Sequence, residues 1–357
     1  MEETQVVIPE SADAQVPLQE RRVHVPRTIV EVEHLKKYFA QHRGLFSGLK
    51  GGAGVIPAVD DVSFYIKEHE TMGLVGESGC GKTTIGRIIL RLTPPTGGRI
   101  FFDEVDVTGL SQRQFRPFRK RMQMIFQDLD AALNPAMRIR AILKEAITVH
   151  HDVSDAEVDR RMHELLEQVH LKKSALTSLP HELSGGEKRR VGIARALAVG
   201  ARFIVADEPT SALDVSIQAQ VVNLLEDLQR HLGLSYLFIS HDLRVVELMS
   251  HKVAVMYLGR IVETGLAESI ANQPRHPYTS ILWSSLVEKR SREATDAAAR
   301  GGWGVFDFAR PHTGCRFAPR CPVYEAQGRP SICTDPCSEP QLHDIGDVHK
   351  VACHFPL

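Results

Sequence analysis

The sequence predicts an α/β fold organised around a mostly parallel β-sheet and a phosphate-binding loop. Three observations carry that expectation. TMGLVGESGCGKTTIGRIILRL (residues 71–92) reads as a short apolar strand, a glycine-rich turn and a helix with apolar positions at helical spacing. RFIVADE (202–208) and SYLFISHD (235–242) are short apolar runs, the kind of strand buried on both faces of a parallel sheet. IVEVEHLKKYF from Ile29 alternates like a strand, and AVDDVSFYI (58–66) is a second strand-like segment.

Along the chain, residues 1 to about 27 read as a disordered arm. This segment is polar and lacks an apolar h-region, so it does not match a secretory signal. GLFSGLKGGAG (44–54) reads as a flexible loop. Long helical patterns, IRAILKEAITVHH and DAEVDRRMHELLEQVHL, fill residues 137–172. A stretch rich in charge, Ala and Gly, residues 288–314, reads as a linker before a Cys-rich tail. Of 357 residues 43% are hydrophobic and 24% charged, the balance of an ordinary globular protein. The net charge of −1 excludes a broad basic field for nucleic acid. No run of 18 or more apolar residues is present to span a bilayer, and the expected compartment is the cytosol. Cys80 stands alone in the glycine-rich loop, whereas Cys315, Cys321, Cys333, Cys337 and Cys353 crowd the C-terminus. In a reducing cytosol such crowding suggests metal ligation more than disulfides.

Gly76-Glu77-Ser78-Gly79-Cys80-Gly81-Lys82-Thr83, followed by Thr84, matches G-x-x-x-x-G-K-[ST]. Its glycines let backbone N–H groups converge on phosphate oxygens. Lys82 neutralises the β- and γ-phosphates, Thr83 offers a hydroxyl to Mg²⁺, and the following helix points its positive end at the same anion. FIVADE ends in two carboxylates at the edge of a sheet where ligands gather. Asp207 is placed to hold Mg²⁺ and Glu208 to polarise a water for in-line attack on the γ-phosphate.

With those pieces in order, the chain resembles the ATP-binding subunits of ABC transporters. Leu183-Ser184-Gly185-Gly186-Glu187 resembles that family's LSGGQ signature, with Glu187 where Gln is usual. The resemblance implies that Ser184, Gly185 and Gly186 face the γ-phosphate of an ATP held by an opposite subunit. It implies that Gln127 in MIFQD senses γ-phosphate and metal, and that His241 in FISHD contacts the γ-phosphate. Residues 211–214, ending in Asp214, would cross the dimer interface, and Phe39 or its neighbour Tyr38 would stack on adenine. The implied fold is a P-loop NTPase of ABC type, spanning residues 28–270. It has a mostly parallel sheet core, an antiparallel β subdomain and an α-helical subdomain at about 128–182. A small Cys-rich extension, 271–357, follows.

PRHPYTSIL (274–282), VGESGCGKTT, ALNPAM and ADEPTSALDVSIQAQ are similar to the oligopeptide/dipeptide importer branch, with which nickel and oligosaccharide systems share the same kind of ATPase. That resemblance implies a second ATPase subunit, a heterodimer before a homodimer. It also implies two membrane permease subunits and an extracytoplasmic solute-binding protein, with this chain peripheral on the cytoplasmic face of the membrane. Some members of the branch carry an iron–sulfur cluster in the tail. Four thiolates at these spacings could hold [4Fe–4S] or Zn²⁺, with one of Cys333 and Cys337 spare and His349 and His354 open to a mixed zinc site. The rival class is a soluble ABC ATPase outside transport, which usually carries two cassettes or a long coiled coil; this sequence shows neither.

Overall fold

A computed structural model describes residues 26–40, 55–150, 153–288, 314–346 and 348–357. Nearly all of the N-terminal arm, the 44–54 loop and nearly all of the 288–314 linker lie outside the described residues.

The apolar runs form the parallel centre of an eight-stranded sheet. Thr71–Val75 (β3), Phe203–Asp207 (β7) and Ser235–Ile239 (β8) are buried at every position. This is why they read as continuous apolar stretches: helices or other layers cover both faces and no position meets water. Burying side chains such as Phe203, Ile204 and Val205 contributes about 1.5–3 kcal/mol each. Met122–Ile125 (β6) lies beside β7, and Lys252–Tyr257 (β9) beside β3, so the parallel order is β9-β3-β8-β7-β6.

Beyond β9 the sheet turns antiparallel through Arg260–Leu266 (β10), then His349–Val351 (β12) and His343–Gly346 (β11). The Cys-rich extension is thus stitched to the core sheet, with Glu263 opposite Val351. Glu263 is wholly buried and accepts the backbone N–H of Arg275 (2.6 Å) and His276 (2.9 Å), while His349 Nε2 lies 2.7 Å away. A carboxylate with that many partners fixes the start of the PRHPYT segment against β10.

The alternating segments form a separate four-stranded antiparallel sheet. Its order is β2-β1-β4-β5, from Thr28–Ala40 (β1), Val55–Lys67 (β2), Gly97–Phe102 (β4) and Val105–Asp106 (β5). The helical patterns after Gln127 fold as Ile139–Thr148 and Asp155–Gln168, capped by Ser154, and pack with the helix Gly185–Ala198 into the core. Asp214 accepts from Ile217 N at 2.9 Å to start the helix Val215–Leu232, and Gly233 ends it in left-handed backbone (φ 66°).

Candidate functional site

The phosphate loop leaves β3 at Val75 and enters the helix Lys82–Ile89. Two glycines are obligatory for reasons of both space and backbone. A Cβ on Gly76 (φ 152°) would stand 2.2 Å from Met256 O, and one on Gly81 (φ 111°) 2.0 Å from Ala58 O. The helix has no side-chain cap and no acidic residue in its first turn, leaving its N–H groups and positive end open to an anion. Lys82, 6% exposed, bends back so that its Nζ donates to Gly76 O (2.7 Å) and Glu77 O (2.9 Å), with Cys80 Sγ at 3.7 Å. Burial pushes the Cys80 thiol up, so Cys80 is a packing residue beneath the loop. Ser78 and Gly79 are exposed on the loop, and Thr84 follows in the first turn of the helix.

Across the sheet edge, Thr83 Oγ1 donates to Asp207 Oδ1 at 2.9 Å. Burial pushes the Asp207 carboxyl up; the Thr83 hydrogen bond only partly offsets this, and the neighbouring Glu208 charge adds to it. This pair of oxygen ligands, the buried Asp207 carboxylate and the half-buried Thr83 hydroxyl, suits a hard cation such as Mg²⁺.

Glu208, one residue past β7, sits in left-handed backbone (φ 46°), a conformation costing a non-glycine residue about 1–3 kcal/mol. It is held there by its N–H on Ile239 O (2.8 Å) and by Ser211, whose N and Oγ both donate to Glu208 O (3.1 and 2.9 Å). The carboxylate then lies between Gln127 Nε2 (2.7 Å) and His241 Nδ1 (3.2 Å). Gln127, Glu208 and His241 each follow the C-terminal end of a different parallel strand, β6, β7 and β8, and so the topology brings these three predicted residues together.

Ser184, Gly185 and Gly186 lie elsewhere. They begin the helix Gly185–Ala198 and pack on the 211–217 turn, where a Cβ on Gly186 would stand 2.8 Å from Ile217 Cγ2. Among the described residues no hydrogen bond joins them to the phosphate loop. Glu187 closes a capping box: its Oε2 accepts from the Ser184 hydroxyl (2.7 Å) and backbone N–H (3.0 Å). Those hydrogen bonds hold its carboxyl below the usual range. Arg189, 4% exposed, ties this helix to the neighbouring loops through Phe126 O (2.8 Å), Gln127 O (3.3 Å) and Ser211 O (3.4 Å). Of the two aromatics near the end of β1, Tyr38 is anchored by its hydroxyl to Asp60 Oδ1 (2.6 Å), whereas Phe39 is 42% exposed.

The extension reaches this site in a way the sequence reading missed. Tyr278, inside PRHPYT, accepts the Glu77 N–H at its hydroxyl (3.0 Å), and Arg320 forms a bidentate pair with the Glu77 carboxylate. Arg316 pairs with Asp60 and with Glu339. Both arginines lie between Cys315 and Cys321, where the cysteines were the more conspicuous signal.

Cys315, Cys321, Cys333 and Cys353 line one small cavity together with His354. Cys337 is exposed and outside that lining. Burial pushes the Cys315 thiol up to about 11 and the Cys353 thiol up to about 12. One zinc alternative is corrected, since His349 is held by Glu263 away from the cavity; His354 lines it, with its Nε2 2.7 Å from Ser338 O. Among the described residues no three Cys, His, Asp or Glu side chains stand in metal-ligating geometry, so the expected iron–sulfur or zinc centre is not preformed. A second cavity, of about 630 Å³, opens between the antiparallel sheet and the extension and is lined by none of the predicted ATP residues.

A family model described as ABC transporter matches residues 59–211. One described as oligopeptide/dipeptide transporter, C-terminal region, matches residues 262–327. The chain is 45% identical over 330 residues to the oligopeptide transport ATP-binding protein AppF of Bacillus subtilis (strain 168), covering 92% of this chain and 97% of that protein. It is 48% identical over 260 residues to the oligopeptide transport ATP-binding protein OppF of the same organism, covering 72% and 82%. Among solved structures, the dimeric post-hydrolysis state of the ATP-binding cassette MJ0796 with ADP and Pi matches with a TM-score of 0.59. That match is 27% identical and covers 67% of this chain and 98% of that one.

Proposed function

This chain belongs to the ABC transporter family of ATP-binding subunits, and from that premise we propose that it hydrolyses ATP to power uptake of di- and oligopeptides through a membrane permease. The observation that carries the catalytic part is the convergence of Gln127, Glu208 and His241 beside the Thr83–Asp207 pair.

On this reading the N–H groups at the head of the helix Lys82–Ile89 and the Lys82 ammonium hold the phosphates, Lys82 leaving its two carbonyl partners to do so. Thr83 and Asp207 supply oxygen ligands to Mg²⁺, which would neutralise charge on the β- and γ-phosphates. Glu208 takes the proton of the attacking water; Gln127 and His241, which hold its carboxylate here, are placed to orient water and γ-phosphate. Phe39, with its exposed ring, is the better placed of the two aromatics to stack on adenine. Residues 184–186 present a helix N-terminus that, among the described residues, makes no hydrogen bond to this chain's own phosphate loop, which supports its use on an ATP held by a second subunit in a head-to-tail dimer.

The permease, the solute-binding protein, a heterodimeric ATPase pair and a place on the cytoplasmic face belong to the same proposal. No helix among the described residues is long and apolar enough to cross a membrane. The tail is read as a ligand set for [4Fe–4S] or Zn²⁺ through Cys315, Cys321, Cys333 and Cys353. The donors suit such a group in kind, being soft thiols with no carboxylate among the described lining residues. No step of hydrolysis is assigned to it.

Glu208→Gln is expected to keep Mg·ATP binding and lower hydrolysis about 10²- to 10⁴-fold in the purified chain. Hydrolysis at the parental rate would remove Glu208 as the base.

A further inference from the structure

Glu77 is the second residue of the phosphate loop, and three of its groups are tethered. Its carbonyl holds Lys82 Nζ (2.9 Å) and its N–H is held by the Tyr278 hydroxyl (3.0 Å). Its carboxylate is held by Arg320, Nη2 to Oε1 at 2.7 Å and Nη1 to Oε2 at 3.0 Å. Two of those three tethers come from the C-terminal extension, and one spans 243 residues of sequence. Arg320 is itself fixed. Its guanidinium lies 5.6 Å from the Tyr257 ring centroid and 5.9 Å from that of Phe317, with Nη1 3.3 Å from the Tyr257 hydroxyl. The segment that carries it, CRFAPRC (315–321), carries a second arginine. Arg316 pairs with Asp60, which in turn anchors Tyr38 near the end of β1.

We propose that Arg320 is a positioning residue for ATP, acting through Glu77 to hold the phosphate loop and to mask a carboxylate that would otherwise face the incoming phosphates. Glu77, Ser78 and Gly79 are all exposed, and the loop must still meet the phosphates with its N–H groups aligned. A bare carboxylate next to a polyphosphate raises the energy of the bound state, and a bidentate guanidinium removes most of that repulsion while fixing the side chain. The extension then completes the phosphate site in addition to decorating the fold. This inference rests on the reading above that residues 76–83 hold ATP.

The test is a double-mutant cycle on the full chain, reading Kd for Mg·ATP and the kcat and KM of hydrolysis. Arg320→Ala is expected to weaken Mg·ATP binding and raise KM about 5-fold with kcat little changed, since the pair is partly exposed. In the Glu77→Gln background the same substitution is expected to change neither. Arg320→Lys, which keeps the charge and loses the fork, is expected to fall between. If Arg320→Ala does not fold, Arg320→Lys measured with and without Glu77→Gln reads the same coupling. An Arg320 effect of equal size in both backgrounds, or none in either, overturns the inference and leaves a purely structural arginine. A parental protein that binds no Mg·ATP overturns the functional reading itself, and the two failures are therefore distinct.

Discussion

The phosphate site is built from two regions by different means. On the sheet edge, Gln127, Asp207, Glu208 and His241 stand where parallel strands stop, so backbone topology alone delivers them to one place. On the extension side, the Tyr278 hydroxyl accepts the Glu77 backbone N–H and Arg320 pairs with the Glu77 carboxylate, across 201 and 243 residues of chain. The first arrangement tolerates no change in strand order or loop backbone; the second rests on a few hydrogen bonds at the rim. Substitutions at the sheet edge should therefore cost far more than those on the extension side, and the following measurements grade that difference.

After Glu208→Gln, the largest effect is expected at the loop backbone. Gly81→Ala places a Cβ 2.0 Å from Ala58 O in a backbone with φ 111°, and the loop must move to accept it. Hydrolysis should fall about 100-fold, as a shift of order 1 Å misplaces the phosphate ligands. Gly109→Ala, which meets nothing within 4 Å, is the control and should leave stability within about 0.5 kcal/mol. Equal losses in the two variants would show that the loop is not the rigid half of the comparison.

The same contrast decides what the sequence could disclose. Lys82, Thr83, Asp207 and Glu208 were legible because each sits at a fixed offset from a strand whose apolar run marks it, whereas Gln127 and His241 were legible only through the resemblance to the ABC family. Five strands were legible by pattern, β3, β7 and β8 as unbroken runs and β1 and β2 as alternation. Arg316 and Arg320 carry no such mark. A charged residue between two cysteines reads as a solvated turn until the fold places Asp60 and Glu77 opposite it. Nor could spacing tell which of Cys333 and Cys337 lines the cavity, because that is set by the backbone of residues 331–338, where Cys333 O accepts from Cys315 N (2.8 Å) and Cys337 N donates to Asp335 (3.1 Å).

That difference gives the next, smaller test, on the extension alone. In protein purified without oxygen, Cys333→Ser is expected to lower iron or zinc per chain, and Cys337→Ser to leave it at the parental level. Equal metal content in the parent and both variants would assign the four thiols to packing.

The smallest effect is expected where the extension meets β1. Tyr38→Phe removes the hydroxyl that donates to Asp60, and should cost about 1 kcal/mol in chemical unfolding at neutral pH. Its pH dependence identifies the cause. Burial works to raise the Asp60 carboxyl, but hydrogen bonds from Tyr38 and Arg316 and the charges of Arg316 and Arg260 outweigh it, leaving Asp60 below its ordinary 3.8. Burial pushes the Tyr38 hydroxyl up to about 12 from 10.0, with the Asp60 hydrogen bond and charge adding to it. A carboxylate depressed in the folded state lends stability above its unfolded value that is lost as pH falls through the folded one. A phenol raised in the folded state lends stability below its unfolded value that is lost as pH rises through the folded one. The gap between parent and Tyr38→Phe should therefore be flat from about pH 4 to about pH 10 and shrink at both ends. A gap that stays constant beyond both limits would mean that the hydroxyl acts only by filling space, and that the Arg316 side of the extension grips β1 without it.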